Sequence, residues 1–540
     1  MMGALESSLL KSYGIEFYLS ENNMLNNEVR YSPHGYILCT EAGSITLAIS
    51  YLLSWHGPIF EEADCYDEVG RLSPFLQEGY DVVHIQDVII ITNDDTLESS
   101  KIKTAILNYG ALAVSYYLEN DNSNGYYNPE TYAQYINESL YRNHGVTIIC
   151  WDDNFSKDNF MTPPPGDGAW IAKNSWGTDW GDDGIFYISY YDKTIASGEF
   201  RDYNAIGIVI ENTIPYNKNY QYDPSWTGGF IDMNSLRGIN GSITYANQFE
   251  AAEDDLIAAV GTYFNESGVN YTAEIYVNGQ LKLTQEGISP FRGFHTIKLN
   301  EYIPIKTGDI FKVVMTSNTM PYCYSQFFRV HYKENLSFFY YEDEWVDLYT
   351  DDENIACLKA YTVADDSYII NNQDISVDYD GDKYFSVKVL TADGHIVAGA
   401  SVKFSINGKT TTVKTDKNGI SKIKITDVPG KYVVKINYNG KTYANKVTVK
   451  QVLTASKVTV KKTAKKFTLK AKLKINGKLV KGKLITFKFN GKTYKVKTNS
   501  KGIAQKTLNK KVIKKLKKGK TYTVKVTYLK DTIKTTVKVK

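Results

Sequence analysis

An α+β domain, then an antiparallel β domain, then two copies of one β-sandwich is the architecture predicted for this 540-residue chain. Three observations predict it. Helix-period stretches occur together with strand-like runs only in the first ~210 residues. From there onward the sequence alternates with the two-residue period of half-buried strands, broken by Asn-Gly and Gly-Asp turns. In the C-terminal third, GASVKFSINGKTTTVKTDKNGISK from Gly399 matches GKLITFKFNGKTYKVKTNSKGIAQK from Gly482, an offset of 83 residues. The expected domains are therefore 1–212, 213–364, 365–450 and 451–540.

In the first domain, ALESSLLKSYG, AGSITLAISYLLSW and ESSKIKTAILNYG read as amphipathic or buried helices, and Ala4, Leu5 and Leu9 fall on one side of the first. GVTIICW and GIFYISY read as strands. The second domain holds AEIYVNGQLKLTQ and GFHTIKLNEYIPIKTGDIFKVVMTS, runs of strand joined by tight turns. In the repeats, Val402, Phe404 and Ile406 alternate with Lys403 and Ser405, and pairs such as Asn407-Gly408 and Asn490-Gly491 supply the positive φ angles of hairpins.

Composition narrows the function. The chain is 43% hydrophobic and 13% aromatic, as globular domains are, and no apolar run is long enough to cross a bilayer. The start, MMGALESSLLK, lacks the basic end and apolar core of an export signal. Five cysteines (Cys39, Cys65, Cys150, Cys323 and Cys357) are too scattered for a disulfide framework or a metal cluster, though Cys323 with Cys357, or Cys39 with Cys65, leaves room for a bridge. The run Asp378-Tyr379-Asp380-Gly381-Asp382 has calcium-like spacing but no downstream Glu in register, and reads as an acidic linker. Neither a metal nor a cofactor is expected.

The near-neutral total of 62 basic against 60 acidic residues hides an asymmetry. Residues 451–540 hold 29 lysines, no arginine and one acid, Asp531, a net of +28, which leaves −26 for residues 1–450. The lysines alternate with strand residues and so project outward. Such self-repulsion favours an anionic cell-wall polymer as partner over nucleic acid, because no aromatic platform accompanies the charge.

Chemistry is expected in the first domain. His144 in NHGVTIICWDDN stands at the mouth of an apolar strand, and Asn174 lies in GAWIAKNSWGTDWGDDGIFYI. A histidine acting as a base needs a third group to fix its tautomer, and an amide oxygen does so without adding charge. These two segments resemble the His and Asn segments of papain-family cysteine peptidases, over roughly the first 210 residues. The resemblance implies an α+β papain-like fold, His144 as general base and acid, Asn174 as orienting amide, and Trp176 as the indole shielding their hydrogen bond. The insert DDNFSKDNFMTPPPGDG is similar to the branch found in bacterial and archaeal surface peptidases, which implies a lectin-like β domain from Thr213 onward. It also implies an extracellular or cell-surface location and a protein or peptide substrate. The repeats resemble immunoglobulin-like repeats of surface proteins.

In that family the nucleophilic Cys opens the first helix, which continues much as Gly3-Ala4-Leu5-Glu6 does here. The nucleophile is therefore expected about seven residues before Gly3, ahead of Met1, with a Cys-to-His separation of about 148 that suits the family. Cys39 precedes a helix but lacks a following Trp and reads, like Cys65 and Cys150, as a packing residue. The chain as written is thus expected to be inactive alone. The other reading is a non-catalytic surface adhesin on a relic peptidase scaffold.

Overall fold

The computed structural model describes residues 1–27, 45–66, 83–91, 99–119, 123–195, 205–210, 216–223, 227–238, 241–324 and 333–540. They form two compact units, Met1–Ala364 and Asp365–Lys540.

In the first unit, helix α1 (Met2–Tyr13) buries Met2, Ala4, Leu5, Ser8 and Leu9, a stripe at helical spacing. It ends at Gly14, whose φ of 69° lets its N–H reach back to the Leu10 carbonyl. Helix α2 (Ile45–Leu53) is apolar and buried nearly all round, and α3 (Ser99–Tyr109) completes the three helical stretches read from the sequence.

One twelve-stranded sheet runs through the whole unit. Its strands include β1 (Asp87–Ile91), β2 (Leu112–Tyr116), β3 (His144–Asp152), β4 (Ala169–Lys173), β5 (Ile185–Ser189), β6 (Ala205–Val209), β7 (Asp255–Phe264), β8 (Gly293–Ile305) and β9 (Leu358–Ala364). Their spatial order is β5-β4-β3-β2-β6-β1-β8-β7-β9, with short strands at either edge. The seam between the α+β part and the β domain is the antiparallel pair β1–β8, Val88 opposite Phe294 and Ile89 opposite Gly293. Asp87 closes it: its carboxylate accepts from His295 Nδ1 at 2.8 Å and from the Thr296 N–H at 2.7 Å. The expected boundary at 212/213 is therefore crossed by hydrogen-bonded sheet. Gly293 has a φ of +131°, and a Cβ there would stand 2.0 Å from the Val88 carbonyl oxygen. Only glycine permits so close a backbone approach.

In the α+β part, Asp192 is buried. Its carboxylate accepts the Ile136 N–H at 3.0 Å, the Thr194 N–H at 2.8 Å and the Thr194 hydroxyl at 2.7 Å. Burial outweighs these bonds and pushes the carboxyl up to about 6. In the β domain, Lys359 on β9 and Asp223 form a fully buried ion pair at 3.2 Å, and Lys359 Nζ also donates to Gln221. Cys323 and Cys357 lie there as buried thiols and not as a disulfide; burial raises the Cys357 pKa far above that of an ordinary thiol. Cys65 is an exposed thiol, and Cys39 lies outside the described residues.

In the second unit the repeats share one plan, a small sheet facing a five-stranded one. Phe385 meets Phe404 across the first repeat, and Phe467 meets Phe489 across the second, edge to face. In each five-stranded sheet the opening strand pairs parallel with the closing one, Ile375 with Val447 and Val458 with Val537. The acidic run joins the repeats: Asp378 accepts the Asn476 N–H at 2.7 Å, Asp380 accepts the Tyr528 hydroxyl at 2.7 Å, and Asp382 pairs with Lys424 within the first repeat.

Gly293→Ala should cost the first unit about 2 kcal/mol or more, because the backbone it strikes cannot step aside. Denaturant titration should show its transition moved and that of Asp365–Lys540 unmoved. Asp192 generates a pH signature. A folded pKa of about 6 above an unfolded value near 4 means that the folded state holds the proton more tightly. Stability is then greatest below pH ~4 and falls by about 3 kcal/mol as the pH rises through ~6. Asp192→Asn removes that dependence. Whatever stability the variant loses at pH ~4, the deficit should shrink by about that amount at pH ~7; a constant deficit would contradict the assignment.

Candidate active site

His144 opens β3, opposite Tyr116 of β2. Asn174 follows β4 directly, and the β3–β4 register sets Thr147 opposite Lys173. Strand geometry thereby brings the two predicted residues to one end of the sheet. His144 Nε2 lies 2.9 Å from Asn174 Oδ1. The same oxygen accepts the Ser175 N–H at 2.8 Å, which fixes which end of the amide faces the ring, since an NH2 there would oppose a donor. An oxygen facing Nε2 requires Nε2 to carry the proton, so Nδ1 is the bare, basic nitrogen.

Asn174 is 5% exposed, and its own N–H is tied to the Gly184 carbonyl at 3.0 Å. The loop between them turns back through glycines: Gly181, with φ +64°, brings its Cα so near the Ile185 carbonyl that a Cβ would stand 2.5 Å from that oxygen. The loop thus returns as β5 beside β4.

Aromatic rings surround the imidazole. Trp176, 46% exposed, has its ring centroid 5.2 Å from that of His144. Trp180 props Trp176 edge to face at 5.1 Å and rests on the buried Phe186 at 5.3 Å. The buried Tyr116 meets His144 edge-on at 5.8 Å, and burial raises its phenol pKa far above the usual range. Sequence reasoning named His144, Asn174 and Trp176 and missed Trp180 and Tyr116. The repeated Trp-Gly of SWGTDWG was the available signal for Trp180; nothing in the sequence marked Tyr116.

Helix α1 approaches the same end of the sheet. A Cβ on Gly3 would meet Thr147 Oγ1 at 3.1 Å. Further along the helix, Ser7 Oγ accepts the Ala111 N–H at 2.9 Å and Ser8 Oγ donates to the Ile208 carbonyl at 2.7 Å. Ala113 is level with Thr147 and Tyr116 with His144, so α1 runs from the level of Thr147 away from His144. Cys150 stands six residues along β3 from His144, about 20 Å away at strand rise. Among the described residues no group of acids, histidines and cysteines is arranged to hold a metal.

The sequence matches the papain family cysteine protease over residues 1–221 and the lectin-like domain over residues 219–362. Among curated proteins it is 26% identical over 188 residues to cathepsin L1 of Drosophila melanogaster, covering 34% of this chain and 44% of that one. It is also 26% identical over 195 residues to pro-cathepsin H of Mus musculus, covering 34% and 50%. The chain spans about half the length of the curated relatives it matches. In fold it is similar to the cysteine protease and lectin-like domains of Cwp84, a surface layer associated protein of Clostridium difficile, with a TM-score of 0.57 at 24% identity over 67% of this chain and 83% of that one. Residues 1–221 are a papain-family cysteine protease domain, and a lectin-like domain follows them over residues 219–362.

Proposed function

We propose that this chain is the base-bearing part of a cysteine-type peptidase, acting on protein or peptide substrates at a cell surface and held there by its basic C-terminal repeat. The observation that carries the reading is the 2.9 Å His144–Asn174 bond, whose acceptor oxygen is pinned by the Ser175 N–H. A cysteine thiol beside Nδ1 passes its proton to that nitrogen, and the thiolate attacks the peptide carbonyl carbon. The amine leaves with the proton returned by His144, and water cleaves the thioester by the same route in reverse. Asn174 keeps the ring in the tautomer this needs. Trp176 covers the Asn–His bond and so strengthens it by excluding water.

The thiol belongs about seven residues before Gly3. Seven helical residues rise about 10 Å, and the three strand residues from Thr147 back to His144 span about the same distance. A helix prolonged along the α1 axis in that direction is therefore level with His144 where the cysteine is needed. Cys39 lies outside the described residues, and Cys150 is too far along β3. The working parts divide as 1–212 for chemistry, 213–364 as the lectin-like partner, and 365–450 and 451–540 as immunoglobulin-like repeats. A surface location is supported by the likeness to Cwp84, described as surface layer associated. No helix among the described residues is long and apolar enough to cross a membrane. The +28 of residues 451–540 favours an anionic wall polymer as the anchor.

The 540-residue chain should neither turn over peptides nor react with an active-site thiol probe; labelling of Cys39 with turnover would overturn this. In a longer form carrying Cys at the expected position, His144→Ala should lower kcat/KM on the order of 10⁴-fold. Asn174→Ala should cost roughly 10²-fold, since it frees the ring but removes no reacting atom. A His144→Ala enzyme that keeps its rate sinks the assignment, and inactivity of the cysteine-bearing form points to an adhesin on a silent scaffold.

A further inference from the structure

Register in the second unit brings together charges that the sequence keeps apart. In the first repeat, β10 (Ser401–Ile406), β11 (Gly430–Tyr438) and β12 (Lys441–Lys450) lie side by side in the order β12-β11-β10. In the second, β13 (Leu484–Phe489), β14 (Thr521–Tyr528) and β15 (Asp531–Val539) take the same places. Lys488 of β13 pairs with Lys525 of β14, and Lys525 with Lys534 of β15. All three are exposed, because their neighbours Phe487, Phe489, Val524, Val526 and Thr535 fill the inner face. Three ammonium groups therefore stand in one row across about 10 Å. Like charges directly opposite destabilise a sheet. The first repeat avoids the arrangement, with Ser405, Lys435 and Ala444 in the corresponding row.

Nothing within residues 451–540 answers that charge. Their one acid, Asp531, is buried and accepts the N–H groups of Val452 and Leu453 at 2.9 and 3.1 Å. Beside the ladder runs a row of hydroxyls, Thr486, Thr527 and Thr532, paired in register and ending on Lys495. The outward positions of the three strands carry no aromatic ring on which a base could stack. All 29 basic residues are lysine, which holds phosphate as a point charge without the fork that reads shape.

We infer that the outer face of the β13-β14-β15 sheet binds a linear, phosphate-bearing polyanion laid across the strands, gripped by Lys488, Lys525 and Lys534. This rests on the reading that the basic segment engages an anionic polymer, and it names the face that does so. The cross-strand repulsion is the cost of a row of cations that a polyanion neutralises, and the threonine row, in which Thr527 and Thr532 are bonded to each other at 3.1 Å, leaves the Thr486 hydroxyl and one of that pair to donate to its remaining oxygens.

The test uses the full chain and long-chain inorganic polyphosphate. Binding is measured between ~50 and ~200 mM salt for the parent, for Lys488→Thr/Lys525→Thr/Lys534→Thr, and for Lys470→Thr/Lys472→Thr/Lys474→Thr. The last removes the same charge from exposed positions on a strand of the opposite sheet. The ladder triple should lose about 10-fold or more at the lowest salt, and its log–log salt slope should flatten by about two, as three lost contacts require. The control triple should lose about threefold or less. At low salt the melting temperature of the repeats should rise in the ladder triple, showing it folded and relieved of repulsion; a fall would contradict the ladder's cost. Equal losses in both triples would overturn the site while leaving diffuse polymer binding in place. A parent chain that ignores polyphosphate would overturn the anionic-polymer reading itself. Low-salt self-association lost only in the ladder triple, without polyphosphate binding, would assign the face to the acidic part of a second copy. Tighter binding of single-stranded DNA than of polyphosphate would overturn it in favour of nucleic acid.

Discussion

The antiparallel pairing that sets Thr147 opposite Lys173 is the constraint that brings His144 and Asn174 together. It decides that the residue three places before Thr147 and the residue just after Lys173 end on the same edge of the sheet, within hydrogen-bonding distance. A slip of one residue would turn every side chain of β3 to the other face and separate His144 from Asn174. The buried faces of Val146, Ile148, Trp170 and Ala172 hold that register, since all four belong to one core cluster. The His144–Asn174 pairing is thus fixed by apolar packing, and the 2.9 Å bond is its consequence at the strand ends. Ser175 adds the last constraint, because its N–H leaves the Asn174 oxygen one direction to face.

The same sheet carries a second consequence. Because β1 of the protease domain pairs with β8 of the lectin-like domain, the two share a backbone hydrogen-bond ladder. Inter-domain contacts within a chain are ordinarily looser and more polar. Here Gly293 allows the backbones to touch, and Asp87 ties His295 and Thr296 across the seam. The lectin-like domain is thereby a structural extension of the protease domain. The repeats are joined to one another differently, through side chains: Asp378 accepts the Asn476 N–H and Asp380 the Tyr528 hydroxyl.

Much of this was legible in the sequence, and what was not shares a cause. The grouping of His144, Asn174 and Trp176 could be anticipated because the two segments that hold them are recognisable by residue type and local context. Ala4, Leu5 and Leu9 could be read because helical period is local. Tyr116 could not, because its part depends on which strand faces His144; the second Trp-Gly marked Trp180, but its contact with Trp176 and Phe186 is set only in the fold. The β1–β8 seam joins segments some two hundred residues apart, and no periodicity marks which strand edges meet. Spacing left a Cys323–Cys357 bridge open, whereas the structure holds both as buried thiols. The lysine row was visible only as a sum of charge, since it exists in register and not in order along the chain.

Asn174 dictates which nitrogen of His144 is bare. Nitrogen-15 NMR of the imidazoles, with His144 assigned among the seven histidines by substitution, reads this without any need for turnover. Neutral His144 should carry its proton on Nε2 and present an unprotonated Nδ1, and Asn174→Ala should erode this preference. A His144 ring protonated on Nδ1, or one whose tautomer is unchanged by Asn174→Ala, would contradict it.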